Sequence, residues 1–347
     1  MATSLAPTLP AGWYALGLAY TDVANEAART FDRNPDERDW RRLLAADALF
    51  GAGRFVDAFT LYRSALESLP AMVSVHDSIA RIYERTAHAE WAAEERAAAT
   101  RVPVDCVRRK ALCEFRSGRY RAALDAALEQ TDSESRYWRA RAATELARAA
   151  FDRLDDLLDS VERRAARAAR ARAEDRHIEA IAELEAALKL APDQPALIDQ
   201  LAQSCYAVRD YERAVTILST SVRARPDDLP SLKLLGYSLL RLRRVDEALP
   251  VLQRAVERDA TDPGPLLALG RARVQRGDFA TAIPLIEPQL AADEDGSLHV
   301  QLARAYAGIG QSDKAAALLA RSEELRRAAN DAAAAAARRT ITAPRAP

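Results

Sequence analysis

Helix-breaking and aromatic residues are scarce in this 347-residue chain. Aromatic residues make up 6% of it, glycine occurs 12 times and proline 16 times. Alanine supplies much of the apolar content, and it is the strongest helix former, with a side chain small enough for close helix packing. Hydrophobic residues still reach 49% and charged residues 29%, which argues against a disordered chain. The composition favours helices punctuated by sparse glycine and proline.

An excess of charge of one sign is also absent. The chain has 50 basic and 51 acidic residues, and its formal net charge is -1. A dedicated nucleic-acid-binding protein has a net basic surface, so this class is disfavoured, although a local basic patch stays open. Almost all the positive charge is arginine, and this alanine and arginine bias is typical of bacterial genomes rich in GC.

Cysteine and histidine are too few to predict a metal site. An odd number of cysteines without tight spacing (Cys106, Cys113 and Cys205) predicts neither a disulfide framework nor a zinc site. Cys106 and Cys113 are expected to be small core residues rather than a redox pair. The four histidines are scattered, with no pair at metal-ligand spacing within a helix. No metal and no other cofactor is predicted.

Long apolar runs are missing as well. No stretch of about 20 apolar residues occurs, so no membrane-spanning helix is predicted. The first residues, MATSLAPTLPAG, lack the basic and apolar regions of a signal peptide. A cytoplasmic location is therefore expected, and the alternative is a periplasmic or secreted protein from which a signal peptide has been removed.

A period of 34 residues organises what is present. Three segment ends, Pro192, Pro226 and Ala260, are spaced by this period. A small residue recurs in the second helix of each unit as Ala180, Ala214, Ala248, Ala282 and Ala315, and in the first helix as Ala168, Ala202, Gly236, Gly270 and Ala303. A bulky residue follows as Leu184, Leu218, Leu252, Ile286 and Leu319. Small residues are required where helices cross closely, and the bulky ones are expected to fill the groove against the next unit.

The turns between paired helices carry a related signal. The sequences GRF, GRY, RDY and GDF begin at residues 53, 118, 209 and 277. Glycine permits the left-handed residue that ends a helix, and the aromatic residue that follows would pack back onto it.

These features together resemble the tetratricopeptide repeat, a helix-turn-helix unit of about 34 residues. The first-helix pattern of that family is matched by Trp13, Leu16, Gly17 and Tyr20, and the second-helix pattern by Ala58, Tyr62, Ala65 and Pro70. The resemblance implies an all-α fold in which the repeats stack into a right-handed superhelix, with the first helices lining its concave face. Eight units are predicted at 39–72, 73–106, 104–137, 161–194, 195–228, 229–262, 263–296 and 296–329.

The repeats are expected to form two blocks. The predicted organisation is a disordered N-terminus (1–9), an N-terminal repeat block (10–133), an irregular helical join (134–160), a C-terminal repeat block (161–329), and an Ala-rich helix end with a disordered tail (330–347). The first block opens with a partial unit at Leu9, whose second helix is short. The stretch from Tyr14 resembles the stretch from Tyr137, which suggests two blocks that begin alike. The arginines from Arg163 to Arg172 are interpreted as a solvated helix face, with a docking helix as the alternative.

No catalytic motif is present, so a non-catalytic scaffold or adaptor is predicted rather than an enzyme. Its partner would be a protein or peptide held in the concave groove. Arginine and tyrosine are favoured in binding sites, and arginine binds carboxylates through two hydrogen bonds, so an acidic partner fits best. The candidate partner-binding residues are Gln203, Tyr206, Lys233, Tyr237, Arg241, Arg271 and Arg304. The alternative is an ordinary exposed polar face.

Other hypotheses remain open at this stage. Some relatives bind the C-terminal carboxylate of chaperones through Lys and Asn residues, but those residues are missing here, so this partner class is not predicted. A ligand- or peptide-sensing regulatory module is the main alternative, and an RNA-binding helical repeat is less favoured. Trp40 and Phe50 could form an apolar anchor site in the N-terminal block, or pack beneath the first unit. The oligomeric state is left open.

Overall fold

Helices account for nearly all the regular structure of the protein. The computed structural model describes residues 8–70 and 72–344, and within these ranges it contains α-helices and two short 3-10 segments but no strand. The helices are α1 (Pro10–Asp32), α2 (Arg38–Gly51), α3 (Phe55–Ser68), α4 (Val73–Arg85), α5 (Ala89–Arg101), α6 (Lys110–Arg116), α7 (Tyr120–Leu128), α8 (Ser133–Asp155), α9 (Val161–Ala173), α10 (His177–Leu190), α11 (Pro195–Ala207), α12 (Tyr211–Ala224), α13 (Leu229–Arg241), α14 (Val245–Arg258), α15 (Pro263–Arg276), α16 (Phe279–Ile286), α17 (Ser297–Gly308) and α18 (Ser312–Ala337). The all-α prediction is confirmed. None of these helices is long and apolar enough to cross a membrane.

The chain divides into two compact units. The N-terminal unit runs to Ala166 and also includes the C-terminal segment from Arg339, whereas the C-terminal unit is Arg167–Arg338. The division therefore falls within α9 rather than at a separate joining segment. The predicted disorder of residues 1–9 falls mostly on residues 1–7, which lie outside the described residues, and α1 begins at Pro10.

Two long helices, α1 and α8, form a pair within the N-terminal unit. Tyr14 contacts Phe151 near one end, with ring centroids 6.1 Å apart, while Arg136 lies over Phe31 at the other, so the helices are antiparallel. The partial first unit with a short second helix was a wrong prediction, because no glycine or proline interrupts the chain between Gly17 and Asp32. The helix α8 occupies most of the predicted helical join at 134–160. The two similar sequence stretches are thus packing partners.

The remaining helices follow the predicted repeat. Each of the eight 34-residue units contains two helices joined by a tight turn. The turn residue has positive φ in every unit, at Gly53, Ala87, Gly118, Asp175, Arg209, Arg243, Gly277 and Gly310. The left-handed turn is thus a property of the repeat, and four units adopt it without glycine. An L-residue there costs about 1–2 kcal/mol relative to ordinary helical backbone.

Small and bulky residues pack against each other inside each unit. An added Cβ on Gly236 of α13 would stand 2.7 Å from Leu252 Cγ of α14, and on Gly270 of α15 it would stand 2.7 Å from Ile286 Cγ1 of α16. The bulky residues therefore fill the crossing within their own unit, rather than only the groove against the next unit as predicted. Leu319 departs from the pattern, being 46% exposed, because no later helix of the described chain covers it.

The cysteine prediction was wrong for two of the three residues. Cys106 and Cys113 form a disulfide, with their Cα atoms 5.7 Å apart. Cys106 lies in the non-helical segment before α6, so the two residues do not lie two turns apart on one helix, as a spacing of seven residues would place them in a continuous helix. Cys205 is free and fully buried, as expected for a small core residue.

Candidate functional site

A cleft in the C-terminal unit is lined by residues from the first helices of successive repeats. It has a volume of about 480 Å³, within the range of about 300–1,000 Å³ typical of ligand pockets. Its lining consists of Tyr206 from α11, Tyr237, Leu240 and Arg241 from α13, Gly264, Leu267, Ala268, Arg271 and Gln275 from α15, and Gln301 from α17. Four of the seven predicted binding residues, Tyr206, Tyr237, Arg241 and Arg271, therefore share one cavity.

The starts of the first helices fix this alignment. Asp228 caps α13 by accepting a hydrogen bond from the Ser231 amide, and Asp262 caps α15 by accepting one from the Gly264 amide. Such caps satisfy backbone donors that the helix itself leaves unpaired. Because equivalent helices begin at equivalent points, residues 34 apart such as Tyr237 and Arg271 line the same cleft.

Arg271 and Gln301 leave polar atoms without partners in the cleft. Arg271 Nε and Gln301 Oε1 are both buried and make no hydrogen bond. Leaving such an atom unsatisfied costs about 1–3 kcal/mol. Because both atoms are buried, an occupant of the cleft could bond to them only after their side chains move.

The two tyrosines combine apolar rings with polar hydroxyls. The Tyr237 hydroxyl lies 2.5 Å from the position that a Cβ would take on Gly264, so a larger residue at this place on α15 would require the Tyr237 side chain to move. Burial raises the pKa of Tyr237 to about 12, and nearby Asp262 and Tyr206 act in the same direction, whereas Arg271 opposes them. The phenol is therefore neutral at physiological pH and acts as a hydrogen-bonding group.

Positive charge in the cleft is not balanced by acidic lining residues. A hydrogen bond to Tyr206 raises the pKa of the Arg241 guanidinium. Among the described residues, neither Arg241 nor Arg271 forms an ion pair, and no carboxylate lines the cavity. The cleft thus presents two cations and two aromatic rings, which suits an anionic group.

Three predicted binding residues lie outside the cleft lining. Gln203 is exposed and accepts a hydrogen bond from Arg172 at 2.5 Å, which occupies its side chain. Lys233 pairs with the helix-capping carboxylate of Asp262 at 2.5 Å, so its charge is already neutralised. Arg304 is an exposed residue of α17 that does not line the cavity.

Gln275 and Gln301 line the cleft but were not among the predicted residues. Gln275 lies one helical turn after Arg271, so the periodicity of α15 could have identified it. Gln301 lies 34 residues after Leu267. The repeat contracts by one residue before α17, as the step from Gly270 to Ala303 shows, and a step of 33 residues from Leu267 leads to Val300, which is 45% exposed and lies outside the lining. Because of this contraction, the repeat spacing did not identify Gln301, the residue of α17 that lines the cleft.

The N-terminal unit contains a smaller cleft of about 310 Å³, whose main charges are internally paired. Asp47 accepts hydrogen bonds from Tyr62 at 2.5 Å, Tyr137 at 2.9 Å and Arg141 at 2.8 Å. Burial raises the pKa of Tyr62 and Tyr137. Burial opposes the charge on Arg141, but Asp47, Tyr137 and Tyr62 together outweigh it, and the pKa of Arg141 is raised. This network stabilises the fold and leaves little charge for a ligand.

Trp40 and Phe50, the possible apolar anchor of this unit, have separate surroundings. The Trp40 ring lies 5.7 Å from that of Tyr137 and packs on the hydrophobic core of this unit. Phe50 lies beneath the Arg81 guanidinium at 4.6 Å and contributes to the smaller cleft. The two residues do not form a joint anchor site in that cleft, since Trp40 is not among its lining residues.

Comparisons with known proteins agree with the repeat. Two family models described as tetratricopeptide repeat match residues 200–263 and 239–298, the region that holds most of the cleft. The chain is also similar to solved structures of MamA from Desulfovibrio magneticus RS-1 (22% identity, TM-score 0.45, 49% of this chain and 97% of that one). A thermophilic tetratricopeptide repeat protein of Thermus thermophilus is similar at 22% identity and a TM-score of 0.38, covering 51% of this chain and 97% of that one. No curated protein matches the chain in sequence. Residues 200–298 of the chain therefore form tetratricopeptide repeats, units that serve in general as protein–protein interaction scaffolds.

Proposed function

We propose that this protein is a non-catalytic adaptor whose C-terminal unit holds an acidic segment of a partner protein in the cleft. The observation that carries the proposal is a cavity lined by Arg241 and Arg271, neither of which forms an ion pair among the described residues, and by no carboxylate. A partner Asp or Glu side chain would pair with these guanidinium groups through charge-assisted hydrogen bonds, while Tyr206 and Tyr237 would pack on its apolar atoms.

The same lining argues against catalysis in this cleft. It contains no histidine, cysteine, serine or carboxylate, which are the groups that commonly act as nucleophiles or as acids and bases near neutral pH. The Tyr237 phenol, with its pKa raised to about 12, is a poor base at neutral pH. Holding a partner is the role that the lining supports.

The test is binding of defined ten-residue peptides, acidic, neutral and basic, to purified wild-type and variant protein by isothermal titration calorimetry. Arg271→Glu should weaken acidic-peptide binding roughly ten- to a hundredfold, because a charge-assisted hydrogen bond worth about 1.5–3 kcal/mol becomes a repulsion. Arg304→Glu is the matched control, since it makes the same charge change on an exposed residue outside the cleft.

The outcomes separate the cleft from the general surface charge. Loss of binding in Arg271→Glu with near-normal binding in Arg304→Glu would support the proposal, provided both variants keep the wild-type circular dichroism spectrum. Equal losses in the two variants would show that acidic peptides respond to overall charge. Binding that does not distinguish acidic from neutral peptides would refute the proposed partner chemistry.

A further inference from the structure

The C-terminal segment of the chain lies against the N-terminal unit, although disorder was predicted there from about Arg339. Residues 345–347 of that prediction fall outside the described residues. The Tyr83 hydroxyl donates a hydrogen bond to the Thr342 carbonyl at 2.7 Å, and Arg63 Nη2 approaches the Ala343 carbonyl at 3.4 Å. The Ile341 side chain packs, partly buried, on the hydrophobic core of this unit. Two successive backbone carbonyls and one apolar side chain are therefore bound.

The receiving surface is a network built by three helices. Arg63 of α3 donates to the Tyr83 hydroxyl of α4 at 3.1 Å and lies 3.8 Å from the Glu95 carboxylate of α5. Glu95 is only 3% exposed, and its other oxygen lies 2.7 Å from His76 Nδ1. The buried carboxylate thus holds Arg63 in place, and Arg63 in turn leaves the Tyr83 hydroxyl proton free for an outside acceptor.

Aromatic packing fixes the Tyr83 ring as well. The ring lies 5.7 Å from Phe59 and 5.6 Å from Trp91 between centroids. With the C-terminal segment in place Tyr83 is fully buried, and burial raises the pKa of its phenol, although Arg63 opposes this. The hydroxyl therefore remains a protonated donor, held in a rigid position.

The segment itself is suited to binding in an extended form. Ala343 precedes Pro344, and a residue before proline is restricted to extended backbone. Proline also lacks an amide donor, so no backbone N–H is left unsatisfied at that position. Less conformational entropy is lost when such a segment binds than when a flexible one does.

We infer that the surface formed by Arg63, Tyr83 and the adjoining core is a peptide-docking site, and that its occupant is the Ile-Thr-Ala-Pro segment, 341–344, of the same chain. Recognition is by two backbone carbonyls and by the apolar side chain that precedes them. The Thr342 side chain is exposed and contributes nothing to recognition. This site is independent of the acidic-peptide cleft, because it uses different residues, a different unit and a different ligand chemistry.

The test uses the full-length chain and a labelled peptide of residues 338–347, with binding followed by fluorescence anisotropy. Ile341→Asp in the chain should release its own segment and allow the native peptide to bind. The wild-type chain should bind the peptide at least roughly tenfold more weakly, because its tethered segment competes at a high effective concentration. Thr342→Asp is the matched control: it adds the same charge at the neighbouring exposed side chain and should behave like the wild type.

A second variant tests the binding surface. Tyr83→Phe combined with Ile341→Asp keeps the packed ring but removes the donor to the Thr342 carbonyl. Peptide binding should weaken roughly three- to tenfold relative to Ile341→Asp alone, the usual effect of one neutral hydrogen bond. An unchanged circular dichroism spectrum would show that both chains remain folded.

Three results would overturn the inference. The first is equal peptide binding by the wild-type and Ile341→Asp chains, or no binding by either. The second is an equal effect of Thr342→Asp and Ile341→Asp, which would mean that charge rather than contact controls docking. The third is concentration-dependent association of the wild type that Ile341→Asp abolishes, because the segment would then dock onto a second copy.

Discussion

Replacing Gly270 with alanine tests the close helix crossing that defines the repeat. An alanine Cβ would stand 2.7 Å from Ile286 Cγ1 and 3.4 Å from Leu285 Cβ. Ile286 is fully buried and β-branched, so its side chain has little freedom to move aside in a helix. Overpacking of this kind costs about 1–3 kcal/mol. If only helix propensity mattered, Gly→Ala inside a helix would instead stabilise the protein by about 1 kcal/mol. The sign of the measured change in stability therefore shows whether overpacking or helix propensity dominates.

The matched control is Gly51→Ala at the end of α2, where an added Cβ meets no atom within 4 Å. We expect Gly51→Ala to be neutral or slightly stabilising, and Gly270→Ala to lower the free energy of unfolding by up to about 2 kcal/mol after the propensity gain is subtracted. Urea unfolding followed by circular dichroism measures both, and native-state hydrogen exchange of α15 and α16 localises the change, because repeat arrays need not unfold in two states.

A double-mutant cycle completes the assay. Ile286→Ala alone should cost about 2–5 kcal/mol through the cavity it leaves. Combined with Gly270→Ala, the new methyl group would occupy part of that cavity, so the two costs should fall short of additivity by about 1 kcal/mol or more. If Gly270→Ala stabilises the protein as much as Gly51→Ala does, the reasoning from close helix packing is refuted.

Four further predictions concern the turns, the buried network, the cleft and the disulfide. Arg243→Gly should stabilise by about 0.5–1 kcal/mol in urea unfolding, since it relieves a positive φ of 59° at a small cost in chain entropy, and a loss would contradict the turn argument. Asp47→Asn should destabilise by about 3–5 kcal/mol, because a buried arginine loses its charge partner; a change below 1 kcal/mol would show that the network is dispensable. The part of the phenolate absorbance that Tyr237→Phe removes should titrate near pH 12 in the folded protein. Because the pKa of Tyr237 in the folded protein lies above its ordinary value of 10, its contribution to stability is fully present below pH 10 and is lost as the pH rises towards 12. Reduction of the Cys106–Cys113 disulfide should lower the stability of the N-terminal unit by up to about 2.5 kcal/mol, with no effect on hydrogen exchange in the C-terminal unit; a change in both would mean that the bond acts beyond its own loop.

Local sequence patterns were sufficient to predict most of the repeat. Each predicted unit contains two helices because small residues, turn residues and helix-starting prolines recur in phase, and these act over a few residues. The same phase identified Tyr206, Tyr237, Arg241 and Arg271 as groove residues, and they line one cleft. Gln203 occupies the same repeat position as Tyr237 and Arg271, but it is exposed and accepts a hydrogen bond from Arg172 of another helix, a contact that the repeat pattern does not predict.

Features that depend on contacts between distant residues were not predictable in this way. The sequence indicated that α1 and α8 are similar, but only the fold showed that they pair, since helical pattern carries no information about which partner a face will meet. The disulfide depended on where the irregular segment before α6 places Cys106. The docked position of Thr342 depended on Arg63 and Tyr83, more than 250 residues away in the chain.

The sequence by itself determined the all-α repeat, its period and the face from which the candidate binding residues project, because these follow from periodicity and backbone preference. The tertiary structure decided which of those residues have free polar groups, as Arg271 does and Lys233 does not. It also decided that the end of the chain binds the N-terminal unit. The physical reason is that hydrogen bonds, ion pairs and burial depend on atoms brought together by the whole fold, whereas helix formation depends mainly on near neighbours in the chain.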